Sequence, residues 1–230
     1  MGEGVGRGLE SGASTHSPLA LRPDSRNTCP MRLYDYLPSG NSYKVRWVCA
    51  RLGLSYTHMP IDIHAGETHT PEFRALNPAG QIPLLELSDG RTLAESNAII
   101  RYLADGSDLV PSDPFAHAKM LQWQFWEQYR HEPAIADARF ISMYAMDSRA
   151  AELPGLTARG HAALSVMEAH LSDRDWFVGE ACTLADVSLY AYTHVAGEGG
   201  FDLADYPAVS AWLARFAASD KHITIDAVPS

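Results

Sequence analysis

The chain has 230 residues, a length that fits between one and two domains. Lys and Arg number 18 against 28 Asp and Glu, and the resulting net charge of −10 argues against a nucleic-acid binder, which carries a basic stripe. With 46% hydrophobic and 20% charged residues, the composition is that of a globular protein, not a disordered, collagen-like or supercharged chain.

Residues 1–30 are dense in Gly, Ser, Pro and Arg and show no apolar period. Leu19–Leu21 is too short for a signal-peptide core, and three Arg are matched by Glu3, Glu10 and Asp24, unlike a transit peptide. The segment is expected to be a disordered extension, with the structured pattern starting at Met31. Leu33–Leu37 then reads as a strand and Pro38–Asn41 as a turn. Val45, Val48, Cys49 and Leu52 fall on one helix face, and Gly53 suits the left-handed position beyond the helix end. Tyr56–Ile61 is a second strand, completing a βαβ unit whose strands should be parallel.

Pro71 opens a short helix to Leu76, and Asn77–Gly80 is a turn. Residues 82–87 form a strand that returns through Ser88–Gly90 into Arg91–Leu93, antiparallel. Ser96 is placed to cap a helix through Ile99, Ile100 and Leu103. The first half, 31–106, is thus β-α-β-α-β-β-α. Residues 107–113 form a Pro- and Asp-containing linker, and 114–225 is helical in period throughout.

The three cysteines (Cys29, Cys49, Cys182) make no C-x-x-C and are too few for a disulfide scaffold. His58, His64 and His69 lack a metal-ligand pattern, so no metal is expected. Cys49 reads as inert core, and Cys182, beside a helix start, as inert too. No apolar run approaches the ~20 residues that cross a bilayer. A cytoplasmic location without membrane or nucleic-acid partners is expected.

Three motifs carry chemistry. Ser39-Gly40-Asn41-Ser42 lies between a strand and a helix N-terminus, where free N–H groups and the dipole favour an anion such as a thiolate. The Ser39 hydroxyl or the Asn41 amide can donate to it, although both residue types are also ordinary caps. Ile82-Pro83 puts a proline at the start of an internal strand, which a cis bond reconciles. Glu95-Ser96 at a helix start can receive both charges of an amino-acid group, or serve as a plain cap.

In their order and separation, with an all-helical second half, these motifs resemble the soluble glutathione transferase family. The match spans about residues 31–225, and NPAGQIPLLEL followed by LAESNAIIRYL is its most diagnostic stretch. The resemblance implies a thioredoxin-like domain that binds glutathione, a helical domain over the second substrate, and a homodimer. By that likeness Ser39 matches the active-site Ser or Thr of theta-, zeta- and bacterial nu-like members, and Asn41 the nu-like Asn. Ile82 and Pro83 match the backbone partner of the cysteinyl unit and the family's cis-proline. Glu95 and Ser96 match the holders of the γ-glutamyl end. Gln81, with the loop around Thr68 and His69, is assigned to the glycyl carboxylate. Tyr129, Arg130 and Arg139 are candidates for the wall of the electrophile site or for the glutathione carboxylates. No cofactor is implied, since glutathione is the co-substrate.

The expected activity is attack of the glutathione thiolate on an electrophilic small molecule. Two alternatives stay open: glutathione-dependent disulfide reduction at the same site, and a non-catalytic binding or regulatory protein on the same fold. Both positions where thioredoxins carry cysteine are serines here (Ser39 and Ser42), so any sulfur chemistry must come from glutathione. Thr183-Leu184-Ala185-Asp186 has the spacing of a capping box and is read as structural.

Overall fold

The computed structural model describes Met1 and residues 31–228. The expected disorder of residues 1–30 lies, apart from Met1, outside the described residues. The first half runs β1 (Met31–Asp35), α1 (Gly40–Leu52), β2 (Tyr56–Pro60), α2 (Pro71–Leu76), β3 (Leu84–Glu86), β4 (Thr92–Leu93) and α3 (Ser96–Leu103). The sheet order is β2-β1-β3-β4. β1 pairs parallel with β2, Leu33 opposite His58, and antiparallel with β3, Leu33 opposite Leu85. The two-residue β4 returns antiparallel to β3.

Side chains alternate across β1, as strand geometry requires. Leu33 and Asp35 face α1, where Asp35 pairs with Arg46 at 3.0 Å. Tyr34 points to the other face and meets the Phe73 ring of α2 edge to face at 5.9 Å. α1 is buried over most of its circumference, because α3 packs on one side and the second half on another. It ends at Gly53, in the left-handed conformation the sequence asks for.

The second half is all helical: α4 (Pro114–Trp126), α5 (Glu132–Phe140), α6 (Met146–Arg149), α7 (Leu153–Leu171), α8 (Leu184–Thr193) and α9 (Pro207–Ala217). Two wide, π-helical turns, Glu127–His131 and Ile141–Ala145, follow α4 and α5. Pro133 has no N–H to give to a carbonyl one turn back, and the helix widens just ahead of it. α8 runs through the centre with every residue buried. The capping box is formed: Asp186 accepts from the Thr183 N–H at 2.9 Å, the Phe177 N–H at 3.1 Å and the Trp212 ring N–H at 3.0 Å.

α8 also touches α1 directly. A Cβ on Gly40 would lie 2.7 Å from the Tyr192 ring and 2.8 Å from the Ala191 carbonyl, so only glycine permits this approach. The C-terminal tail locks the contact from behind, since Tyr43 and Arg46 donate to the carbonyls of Ile223 and Ile225 at 2.9 Å each. No helix among the described residues is long and apolar enough to cross a membrane.

Candidate active site

A cleft of about 430 Å³ opens between the first half and the segment Gln128–Glu132. Ile82, Pro83, Glu95 and Ser96 line it from one side, Gln128 and Glu132 from the other. Asn41 lines it as well and touches both sides. Gln81, Thr68 and His69 complete the wall. The Ile82–Pro83 peptide is cis, and β3 begins one residue later, at Leu84.

Glu95 and Ser96 differ from their sequence assignment in one respect. Ser96 is the first helical residue of α3, not its cap. Glu95 occupies the cap position at φ 68°, a left-handed conformation strained for a residue with a side chain, and its carboxylate makes no capping bond. The Ser96 hydroxyl donates instead to Asn41 Oδ1 at 3.1 Å. Glu95 is exposed in the cleft with its carboxylate directed to no protein donor among the described residues.

Asn41 is held by a network the sequence did not disclose. Its Oδ1 accepts from Lys44 Nζ at 2.9 Å. An ammonium can only donate, so the amide oxygen must face Lys44 and the NH₂ must face away. That NH₂ donates to Glu132 Oε1 at 3.2 Å, and both residues line the cleft. Lys44 itself is fully buried and ion-paired at 2.8 Å with Glu127, equally buried. Asn97 steadies the pair by donating to Glu127 Oε2 at 3.0 Å, and Ser188 of α8 donates to Asn97 at 2.8 Å. A buried ion pair costs desolvation and is weak evidence of stability; here it fixes the orientation of one amide. One signal was present in the sequence: Lys44 stands three residues after Asn41 and therefore shares its helix face.

Ser39 caps α1 by accepting from the Ser42 N–H at 3.3 Å, and it is not among the residues lining the cleft. The Tyr192 hydroxyl of α8 lies against Ser39 and accepts from the Asn41 N–H at 3.4 Å. Burial pushes the Tyr192 phenol far above its ordinary range, so it stays protonated as a fixed dipole at the helix end.

Tyr129, Arg130 and Arg139, expected at the electrophile wall or the glutathione carboxylates, do not line the cleft. Tyr129 is 74% exposed, and with Arg130 stacked on its ring at 4.9 Å it lines a different groove, formed with Arg159 and Val166 of α7. Arg139 is buried and committed elsewhere. It donates to the Pro38 carbonyl at 2.7 Å and pairs with Glu198 at 2.6 Å, tying the turn before Ser39 to the helical half. Beside the cleft, Tyr36 and His64 of the first half meet Phe140 and Tyr144 of the second. His64 lies 4.6 Å from the Tyr144 ring and stacks on Phe140 at 6.3 Å, while the Tyr36 hydroxyl donates to that of Tyr144 at 3.4 Å. Burial and the neighbouring Tyr144 raise the Tyr36 phenol to about 12.

Neither described cysteine is poised for chemistry. Burial pushes the Cys49 thiol up to about 12 and the Cys182 thiol well above its ordinary value. Among the described residues no group of three His, Cys, Asp or Glu side chains could hold a metal ion.

A cis-proline opening β3, a Glu–Ser pair at the start of α3, and an open cleft beneath a helical half form one constellation. The glutathione S-transferase N-terminal domain model matches residues 29–105, and the C-terminal domain model residues 129–220. The chain belongs to the glutathione S-transferase family. A solved glutathione S-transferase from Pseudomonas fluorescens is 49% identical, with a TM-score of 0.83 over 85% of this chain and 98% of its own. The glutathione S-transferase-like protein LUC7 of a Fusarium species is 35% identical over 83% of this chain and 90% of its own. The disulfide-bond oxidoreductase YfcG of Escherichia coli is 26% identical over 78% of this chain and 87% of its own.

Proposed function

We propose that the chain is a glutathione transferase that activates the glutathione thiolate for attack on an electrophilic small molecule. One observation carries the reading: the Asn41 amide, in the cleft wall at the N-terminus of α1, is locked with its oxygen on Lys44 and its NH₂ on Glu132. A thiolate placed there is stabilised by the amide donor and by the helix dipole. Glu95 takes the ammonium of the γ-glutamyl end, while the backbone N–H of Ser96 and the next amides of α3 take its carboxylate. The Ile82 backbone pairs with the cysteinyl unit, and Gln81 with Thr68 and His69 reaches the glycyl carboxylate. Tyr192 and Ser39 hold the turn and its dipoles in place. The electrophile sits against Tyr36, His64, Phe140 and Tyr144, at the junction of the two halves. A theta- or nu-like Ser/Asn site and a homodimer are part of the same proposal.

Calorimetric titration of the full chain with glutathione tests it, followed by the pKa of the bound thiol from its ultraviolet absorbance. The expected result is saturable binding with a thiol pKa clearly below that of free glutathione. Binding with an unshifted pKa would leave the non-catalytic reading, and no binding would sink both.

Disulfide reduction is the second reading, supported by the likeness to YfcG and by the amide donor at the helix end. There the bound thiolate attacks a disulfide sulfur, one S–S bond breaks, and a mixed disulfide with glutathione forms. Turnover of a model disulfide against turnover of chlorodinitrobenzene separates the two.

A further inference from the structure

The Glu132 carboxylate is left over by the mechanism above. It lies at the start of α5, just beyond the wide turn Glu127–His131, and lines the cleft. Its Oε1 receives the Asn41 NH₂ at 3.2 Å, so it lies one hydrogen bond from the group that faces the thiolate. Among the described residues its charge has no direct ion-pair partner. Lys44, whose charge it feels, is already bonded to Glu127 at 2.8 Å.

We propose that Glu132 is the proton carrier of the site: it accepts the glutathione thiol proton and returns it to the adduct. The proposal rests on the transferase reading. The step balances without another reactant. The S–H bond breaks, its electron pair stays on sulfur, and its proton passes to a Glu132 oxygen. With a conjugated carbonyl, the thiolate then forms an S–C bond to the β-carbon and the C=C pair moves into an enolate. The Glu132 proton quenches the enolate, and the carboxylate is restored. In a halide displacement chloride leaves without a proton, so Glu132 passes its proton to water and only the first half of the cycle serves the chemistry. The site is therefore built for conjugated carbonyl acceptors, whose addition uses the proton twice.

The surroundings suit a group that changes charge during turnover. Burial, then the Glu127 carboxylate, push the Glu132 carboxyl above its ordinary value, against the pull of Lys44 and of the Asn41 hydrogen bond. Asp137 on its own helix adds to the rise, and the Tyr192 phenol faces it from α8. A carboxyl raised in this way is a better match for a thiol proton than one at the usual carboxylate range.

The test compares the full-length protein with Glu132→Gln and Glu132→Asp, on an enone and on chlorodinitrobenzene, across pH 6 to 9. Calorimetry with glutathione comes first. Absence of binding by the unaltered protein overturns the transferase reading and this proposal with it. Expected for Glu132→Gln is glutathione affinity within twofold and enone turnover lowered at least tenfold across the range. Chlorodinitrobenzene turnover should be lowered only at low pH and should recover toward pH 9, where the thiol ionises unaided. Glu132→Asp should restore part of the enone rate. A Glu132→Gln protein with both rates and both pH profiles within twofold of the unaltered protein overturns the proposal. So does one that loses glutathione binding, which would make Glu132 a ligand contact. If Glu132→Gln unfolds, a flat pH profile and no solvent deuterium effect on enone addition by the unaltered protein overturn it as well.

Discussion

Glu95 and Asp186 are both acids at the start of a helix, and the sequence presents them in much the same way. Asp186 is fully buried and accepts from two backbone N–H groups, the Thr183 hydroxyl and the Trp212 ring. Burial nonetheless raises it to about 6. Glu95 is exposed in the cleft, makes no capping bond, and sits on a strained backbone at φ 68°. A saturated carboxylate belongs to the fold. An unsaturated one, held in place at a conformational cost, is available to a ligand.

Substitution breaks the comparison most directly at Asp186. Asp186→Ala leaves a buried indole N–H and two buried backbone N–H groups without a partner, each costing ~1–3 kcal/mol. The expected loss is at least ~3 kcal/mol, read as a fall of roughly 6–12 °C in the thermal midpoint. Glu95→Ala should do the reverse, leaving the midpoint within ~1 °C and weakening glutathione at least tenfold by calorimetry, ~1.4 kcal/mol. An affinity within twofold would remove Glu95 from the site.

Asn41→Ala sharpens the contrast from the other side of the cleft. The bound thiol pKa should rise by about one unit, ~1.4 kcal/mol of lost differential stabilisation, read from the thiolate absorbance. Glu95→Gly should raise stability by ~1 kcal/mol, because glycine relieves the positive φ, while glutathione binding is still lost.

Acid supplies the last test. Burial lowers His131 to about 3 and His194 to about 4, so both are neutral in the fold and protonate near 6.5 when unfolded. The unfolded state therefore binds more protons, and stability falls as the pH drops from about 6.5 toward 4. Asp186, raised to about 6, works in the opposite direction between its folded and unfolded pKa values and offsets one of the two histidines. From these three groups the net slope is ~1.4 kcal/mol per pH unit in that window, measurable by urea unfolding. His131→Gln should flatten it, and an unchanged slope would mean that His131 is not held neutral.

Most of the element order was legible in the sequence because its signals are local. Gly53, the Pro71 helix start, the Ser88–Gly90 turn and the Thr183–Asp186 box each act within four residues. The Ser96 cap was misassigned by one position, since a residue at positive φ already ends the loop at Glu95. The expected second strand to Ile61 stops at Pro60. In the site, Asn41, Gln81, Ile82, Pro83, Glu95 and Ser96 all line one cleft, because flanking elements fix their backbone. Tyr129, Arg130 and Arg139, assigned by family likeness, do not line that cleft, because the segment carrying them is not uniformly α-helical. Each wide turn inserts about one residue and rotates everything after it by roughly 100°.

The sequence by itself determined which segments fold into which elements and that the Ile82–Pro83 and Glu95–Ser96 segments line one cleft, because these are set by neighbouring residues. Only the tertiary structure decided what surrounds Asn41 at the cleft. Glu132 facing it, Tyr192 arriving from α8 and Arg139 tying down Pro38 all join residues 91 to 151 positions apart. The wide turn Glu127–His131 precedes Glu132 directly, and no linear spacing carries the rotation it adds.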